Sequence, residues 1–120
     1  MQIDSRAVKA WVERYVAAWN SNDQDEIGDL FTTDASYLPR PFREPWKGRD
    51  EIVRQWLAHK DEPGTTTFEY AVVAVDGNTG VVRGVTTYLQ PPALYGNIWI
   101  VKLDEEGRAS FFAEYWMEPP

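Results

Sequence analysis

The chain changes its hydrophobic period once, around Pro63–Gly64, and that change restricts it to folds that build helices first and a sheet afterwards. Before the break, apolar residues from Val8 recur at Trp11, Val12, Tyr15, Val16 and Trp19, the spacing of one helical face. Asp4 or Ser5 can cap this helix, and the Asn20–Ser21–Asn22 cluster ends it. Asp23 followed by Glu26 has the form of a capping box, and a short second helix then presents Ile27, Leu30 and Phe31 on one side. Ala35 to Leu38 reads as a brief strand. Pro39, Pro41 and Pro45 forbid a helix or central strand in the segment that follows. A third helix, entered through Gly48, has Ile52, Val53, Trp56 and Leu57 on its inner face.

After the break, Thr66 to Val75, Gly80 to Leu89, Leu94 to Leu103 and Ala109 to Met117 are rich in β-branched and aromatic residues. The turn signals Asp76–Gly77–Asn78, Pro91–Pro92 and Asp104–Glu105–Glu106–Gly107 separate them. Strands of about ten residues span roughly 33 Å, and a sheet of them must twist and curl. The expectation is a single α+β domain over residues 1–120: a cone-shaped, strongly curved, mostly antiparallel sheet with three N-terminal helices enclosing an apolar pocket. In the last two strands one parity carries Tyr95, Asn97, Trp99 and Val101, then Phe112, Glu114 and Trp116. The other carries Ile98 and Ile100, then Phe111, Ala113 and Tyr115. Three helices cover only one of these faces. The other is expected to meet a second copy, a homodimer with Ile98, Ile100, Phe111 and Tyr115 near the contact.

Composition narrows the function. Without cysteine there are no disulfides, zinc ribbons, iron–sulfur sites or thiol nucleophiles. The one histidine, His59, has no second imidazole to join it at a metal, and near a helix end it reads as a cap. No metal, cofactor or nucleotide is expected. A net charge of −7 with scattered basic residues argues against a nucleic-acid partner. No apolar run reaches membrane-span length and Met1 to Ala10 has no signal pattern, so a cytoplasmic protein away from membranes is the default. Six Trp, six Tyr and five Phe exceed the needs of a small core, and suit either a ligand pocket or an interface.

The order of parts resembles the nuclear transport factor 2-like superfamily of SnoaL-like and ketosteroid isomerase-like domains, which also includes limonene epoxide hydrolases. The residues that carry the resemblance are Glu13–Arg14–Tyr15–Val16 with Trp19, Phe31–Thr32–Thr33–Asp34–Ala35, Gly48–Arg49–Asp50–Glu51–Ile52, and Gly107–Arg108 with Glu114–Tyr115–Trp116. By that resemblance the isomerase-type carboxylate base falls on Pro39 and the second acid on Trp99, leaving Tyr15 as the tyrosine counterpart. Proline and indole cannot shuttle a proton. Against the epoxide-hydrolase pattern, Tyr37, Arg83 and Glu114 fall on the tyrosine, arginine and terminal acid, while the middle acid becomes Val85 and the water-holding asparagine Pro39.

Two readings follow. In one, the domain is a cofactor-independent enzyme of isomerase, cyclase or hydrolase type, moving protons on a small apolar substrate. Glu114, Arg83 and Tyr37 would form the catalytic group; Tyr15, Trp19, Trp56, Asn97, Trp99, Phe112 and Trp116 would bind the ligand. In the other it is a non-catalytic ligand-binding or dimeric assembly module, and Arg83 and Glu114 form a structural ion pair or one of them points outward. A direct guanidinium contact would hold the Glu114 carboxyl charged. Tyr15 and Tyr37 either donate to a ligand carbonyl or satisfy the backbone. Asp34, before the first strand, reads as a turn or helix-end cap rather than a base.

Overall fold

Asp4 starts the first helix, α1 (Ser5–Ser21), by accepting from the Ala7 N–H at 2.9 Å, and Asn22 ends it in the left-handed region at φ 53°. The computed structural model describes residues 2–120. Val8, Trp11, Val12 and Tyr15 are buried on α1 as the spacing predicts, joined by Ala18, whereas Val16 and Trp19 are only half-buried. Trp11 also donates its indole N–H to the Leu30 carbonyl at 3.0 Å, fixing α1 to the chain that enters the sheet. Asp23 caps α2 (Gln24–Gly28) through the N–H groups of Asp25 and Glu26, but no side chain of Glu26 returns the bond, so only half of the capping box forms.

The second helix is shorter than expected. It stops at Gly28, and Phe31 already belongs to β1 (Phe31–Leu38), where its ring is still buried. Asp34 therefore lies within a strand, exposed, and caps nothing but a contact from the Thr32 hydroxyl at 3.3 Å. A two-residue strand, β2 (Trp46–Lys47), pairs with Ser36 and Tyr37 of β1; two residues are too few to show a period. Gly48 has φ 88°, a conformation that favours glycine, and leads into α3 (Arg49–Ala58). Arg49 docks this helix on the sheet by donating twice to the Phe31 carbonyl, at 2.9 and 3.1 Å.

The remaining strands are β3 (Thr66–Asp76), β4 (Thr79–Leu89), β5 (Pro92–Leu103) and β6 (Ala109–Met117). The sheet order is β2-β1-β6-β5-β4-β3, antiparallel except for the parallel β1–β6 pair. The sheet is curved and does not close: β2 and β3 are its two edges. Along the edge strand β3 the register slips between Val72 and Ala74, a bulge that lets both Val72 and Val75 turn toward the core.

The helices cover the sheet face that bears Val82, Trp99, Val101 and Phe112, all fully buried. On the opposite face Ile98, Ile100, Phe111 and Tyr115 are half-buried, with Arg83 and Val85 exposed beside them. Among the described residues no helix is long and apolar enough to cross a membrane.

Inside, the absence of a side chain at Gly84 makes room for the Phe68 ring, which then stacks on Trp99 at 4.5 Å and 13°. A Cβ at Gly84 would meet that ring closer than real Cβ atoms approach anything. Gly84→Ala is expected to cost about 1–3 kcal/mol through overpacking, read as a lowered urea midpoint and an altered near-ultraviolet signal from the Phe68–Trp99 stack.

Candidate functional site

Between the helices and the inner sheet face lies a cleft of about 510 Å³. Strand pleating decides which side chains reach it. In β5, Tyr95 and Asn97 face it; in β6, Glu114 and Trp116; in β4, Thr86 and Tyr88. Helix α1 supplies Tyr15 and Trp19, one turn apart, and α3 supplies Trp56. Tyr37 and Pro39 come from β1 and its end, and Trp46 from β2 stacks on Tyr37 at 4.7 Å. Of the residues expected to bind a ligand, Tyr15, Trp19, Trp56, Asn97 and Trp116 line the cleft. Trp99 and Phe112, also expected there, do not line it: both are fully buried in the core behind the cleft wall.

Glu114 is the acid that the cleft surrounds. Its Oε2 accepts the Trp99 indole N–H at 2.9 Å. Burial pushes the Glu114 carboxyl up to about 7; the Trp99 bond opposes this, and the Asp61 charge adds to it. The side chain keeps partial contact with solvent along the cleft wall.

The expected pairing of Glu114 with Arg83 does not form. Arg83 lies opposite Ile98 and Ala71 in the sheet, on the exposed outer face, whereas Val82 pairs with Trp99, which pairs with Glu114. The slip is one residue, and in a strand one residue is the other face. Val85, two residues on from Arg83, points outward too and is 43% exposed. With no guanidinium at hand, desolvation governs Glu114 and its acidity moves opposite to the expectation.

Tyr15 and Tyr37 are both buried and their hydroxyls lie 2.7 Å apart. Burial raises both well above the ordinary phenol value, and the Glu114 charge raises them further. Both therefore stay protonated. Two hydroxyls carry two protons, and the bond between them uses one. Asn97 accepts from the Thr86 hydroxyl at 2.7 Å through Oδ1, which leaves its NH₂ group turned to the cleft wall as a donor.

Asp61, in the connection after α3, was not singled out by the sequence because nothing in His59–Lys60–Asp61–Glu62 distinguishes it from a solvated loop. Its Oδ2 accepts from the Trp19 indole at 2.8 Å and from the Tyr88 hydroxyl at 3.3 Å. Burial, then the Asp61 charge, raises the Tyr88 hydroxyl. His59 is the exposed C-cap of α3; its Nδ1 lies 2.9 Å from the Gln55 carbonyl, and its ring borders the cleft. Asp34 is exposed on β1 and does not line the cleft. Among the described residues no three His, Asp or Glu side chains converge as a metal site.

A family model for the SnoaL-like domain matches residues 12–116. The orange carotenoid-binding protein of Synechocystis sp. (strain ATCC 27184 / PCC 6803 / Kazusa) is 33% identical; the match covers 87% of this chain but only 34% of that protein. The chain thus spans about a third of the length of this curated relative. An NTF-2 like protein from Burkholderia xenovorans LB400 superposes with a TM-score of 0.73 at 18% identity, covering 96% of this chain and 86% of that one. The epoxide hydrolase/cyclase-like enzyme SalBIII, of pyran ring formation in the polyether salinomycin, gives 0.73 at 20% identity over 95% and 93% of the two chains. A ketosteroid isomerase-like protein from Erwinia carotovora atroseptica SCRI1043 gives 0.65 at 18%, over 96% and 97%. At these identities the solved structures speak for the fold.

The acidity of Glu114 has a consequence for stability. The folded chain holds its proton more tightly than the unfolded chain, whose carboxyl sits near 4.5. The stabilisation is therefore complete below that value and is lost as pH rises through about 7. Relative to Glu114→Gln, the wild type should lose roughly 1–3 kcal/mol between about pH 5 and about pH 8, the range discounted for solvent at the cleft wall. Urea unfolding of both proteins across that interval measures it, and parallel profiles would contradict the assignment.

Proposed function

We propose, from the premise that this chain belongs to the SnoaL-like domain family, that its cleft is a small-molecule site in which Glu114 moves a proton without a cofactor. The observation that carries this reading is the Glu114 carboxyl: fixed by Trp99 at 2.9 Å, facing an aromatic-walled cleft, and titrating at about 7. A group with that acidity is populated in both forms near neutral pH, as a general acid or base requires. The Tyr15–Tyr37 pair supplies the complementary element. Its unspent hydroxyl proton suits a carbonyl oxygen that gains charge as Glu114 takes a proton from the adjacent carbon. The C–H electron pair becomes a carbon–carbon π bond as the carbonyl π pair moves to the oxygen, where the tyrosine pair stabilises it; in a β,γ-unsaturated carbonyl compound, return of the proton from Glu114 at the γ carbon shifts the double bond and completes an isomerisation. The base thus sits on β6, not at the isomerase-type position, which is Pro39.

A second reading has one observation in its favour, the 33% identity with a carotenoid-binding protein. On that reading the same aromatic walls hold a carotenoid or a comparably apolar ligand without turning it over. Catalysis and binding separate on a generic carbon acid. A nitrobenzisoxazole opens when a base removes its ring proton, and it is small enough for an aromatic cleft. The wild type should accelerate this opening with kcat/KM rising with pH through a midpoint of about 7. Glu114→Gln should lower the rate by about a hundredfold or more while leaving binding within a few-fold. Tyr37→Phe should leave this reaction nearly unchanged, because no carbonyl develops charge in it. No acceleration over free carboxylate, together with tight uptake of a carotenoid into a stable coloured complex, would favour the binding module.

The outer sheet face is proposed to take a second copy of the chain. Ile98, Ile100, Phe111 and Tyr115 remain half-buried there without a cover from the helices. Light scattering at micromolar concentration should then report twice the chain's 13.8 kDa mass. Ile100→Lys should return it to one mass unit with an unchanged circular-dichroism spectrum, and a monomeric wild type would refute the dimer.

A further inference from the structure

Carboxylates drawn away from water normally find a cation or a full set of donors. In this cleft, among the described residues, protein donors engage only one oxygen of each acid, and neither remaining oxygen is a buried orphan. Glu114 uses Oε2 on the Trp99 N–H, and no donor reaches its other oxygen. Asp61 uses Oδ2 on Trp19 and Tyr88, and its Oδ1 accepts from no protein group. Among the described residues neither acid lies within ion-pair reach of a lysine, arginine or histidine. Lys60 and His59 border the opening but are exposed, and the His59 ring is directed to the Gln55 carbonyl. Arg83, the cation expected here, is on the other face of the sheet.

Asp61 is also held in place. The Asn22 side chain donates to its backbone carbonyl at 2.9 Å, and Trp56 in turn donates to Asn22 at 3.2 Å. Its position is thus set before any ligand arrives, which lowers the ordering cost of binding. Around it the cleft presents the rings of Trp19, Trp56, Tyr88 and Tyr95. Aromatic faces attract cations, more strongly where water is excluded. The rim already shows the effect, with the Arg40 guanidinium 5.7 Å from the Trp116 ring centre.

We propose that Asp61 is the specificity-determining residue of the cleft, and that it selects ligands in which a protonated nitrogen is attached to a small apolar body. The nitrogen binds the free Asp61 oxygen and lies against the rings, and the apolar body extends along the cleft wall toward Tyr15 and Tyr37. The proposal rests on the cleft being the ligand site. It does not depend on Glu114 turning a substrate over.

The test compares phenethylamine, protonated at neutral pH, with phenethyl alcohol, which has the same body and a neutral end. Titration of the intact protein, followed by tryptophan fluorescence or calorimetry, should show the amine binding about tenfold tighter or more, the range a desolvated cation–aromatic contact and an ion pair supply. Asp61→Asn keeps an acceptor for Trp19 and Tyr88 while removing the charge. It should bring the amine down to the affinity of the alcohol and leave the alcohol unchanged. Equal affinity of the two ligands for the wild type would overturn the proposal without any variant, as would an amine preference that survives in Asp61→Asn. Amine selectivity with no Glu114-dependent proton abstraction leaves this proposal standing and removes only the catalytic one. Proton abstraction without amine selectivity does the reverse.

Discussion

Trp99 joins the core to the site. One face of its ring stacks on Phe68, its edge meets Phe112 at 5.2 Å, and Tyr15 of α1 tilts over it at 4.6 Å. Its fully buried ring would be an ordinary piece of core except that the indole carries one donor, which has to be satisfied. Glu114 satisfies it. The bond that removes an orphaned N–H from the interior also fixes a carboxylate whose remaining environment is aromatic. A charged group in such surroundings is disfavoured, so the carboxyl is held near neutrality by the same packing that holds the helices on the sheet. The packing of the core and the acidity of Glu114 therefore depend on one side chain.

The architecture was legible because it rests on periods. The α1 stripe, the inner face of α3 and the alternation in β5 and β6 are all visible as spacings, and each places the same side chains inward in the structure. Tyr15, Trp19, Trp56, Asn97, Glu114 and Trp116 could be assigned to the cleft for that reason. Arg83 could not, because β4 gives no clean alternation. Val81 and Val82 are both apolar, and the inward positions Gly80 and Gly84 have no side chain to reveal the parity. The resemblance to epoxide-hydrolase patterns then chose the wrong face. Asp61 failed for a different reason: its role comes from Trp19, forty-two positions earlier, and Tyr88, twenty-seven later. Contacts across such separations leave no local pattern. The same holds for β2, and for the early start of β1 at Phe31, where tertiary pairing extended a strand beyond its own sequence signal.

The chain shares its fold with its structural neighbours, and a shared fold does not fix what a cleft in it does. The cleft holds two carboxylates, Glu114 from β6 and Asp61 from the connection after α3. Each is clamped by an indole N–H through a single oxygen. A buried indole can thus act as the mounting for an acid one strand away.

The β3 edge bears on how copies of this chain can meet. A strand of eleven residues at the margin of a sheet offers a row of unpaired backbone groups to any extended chain that arrives. Here the register slip at Val72–Ala74 interrupts that row, and Glu69 and Asp76 set exposed negative charge along a chain whose net charge is already −7. Strand addition would have to match a broken ladder against like charge. The edge therefore acts as a guard against fibre-like growth by strand addition.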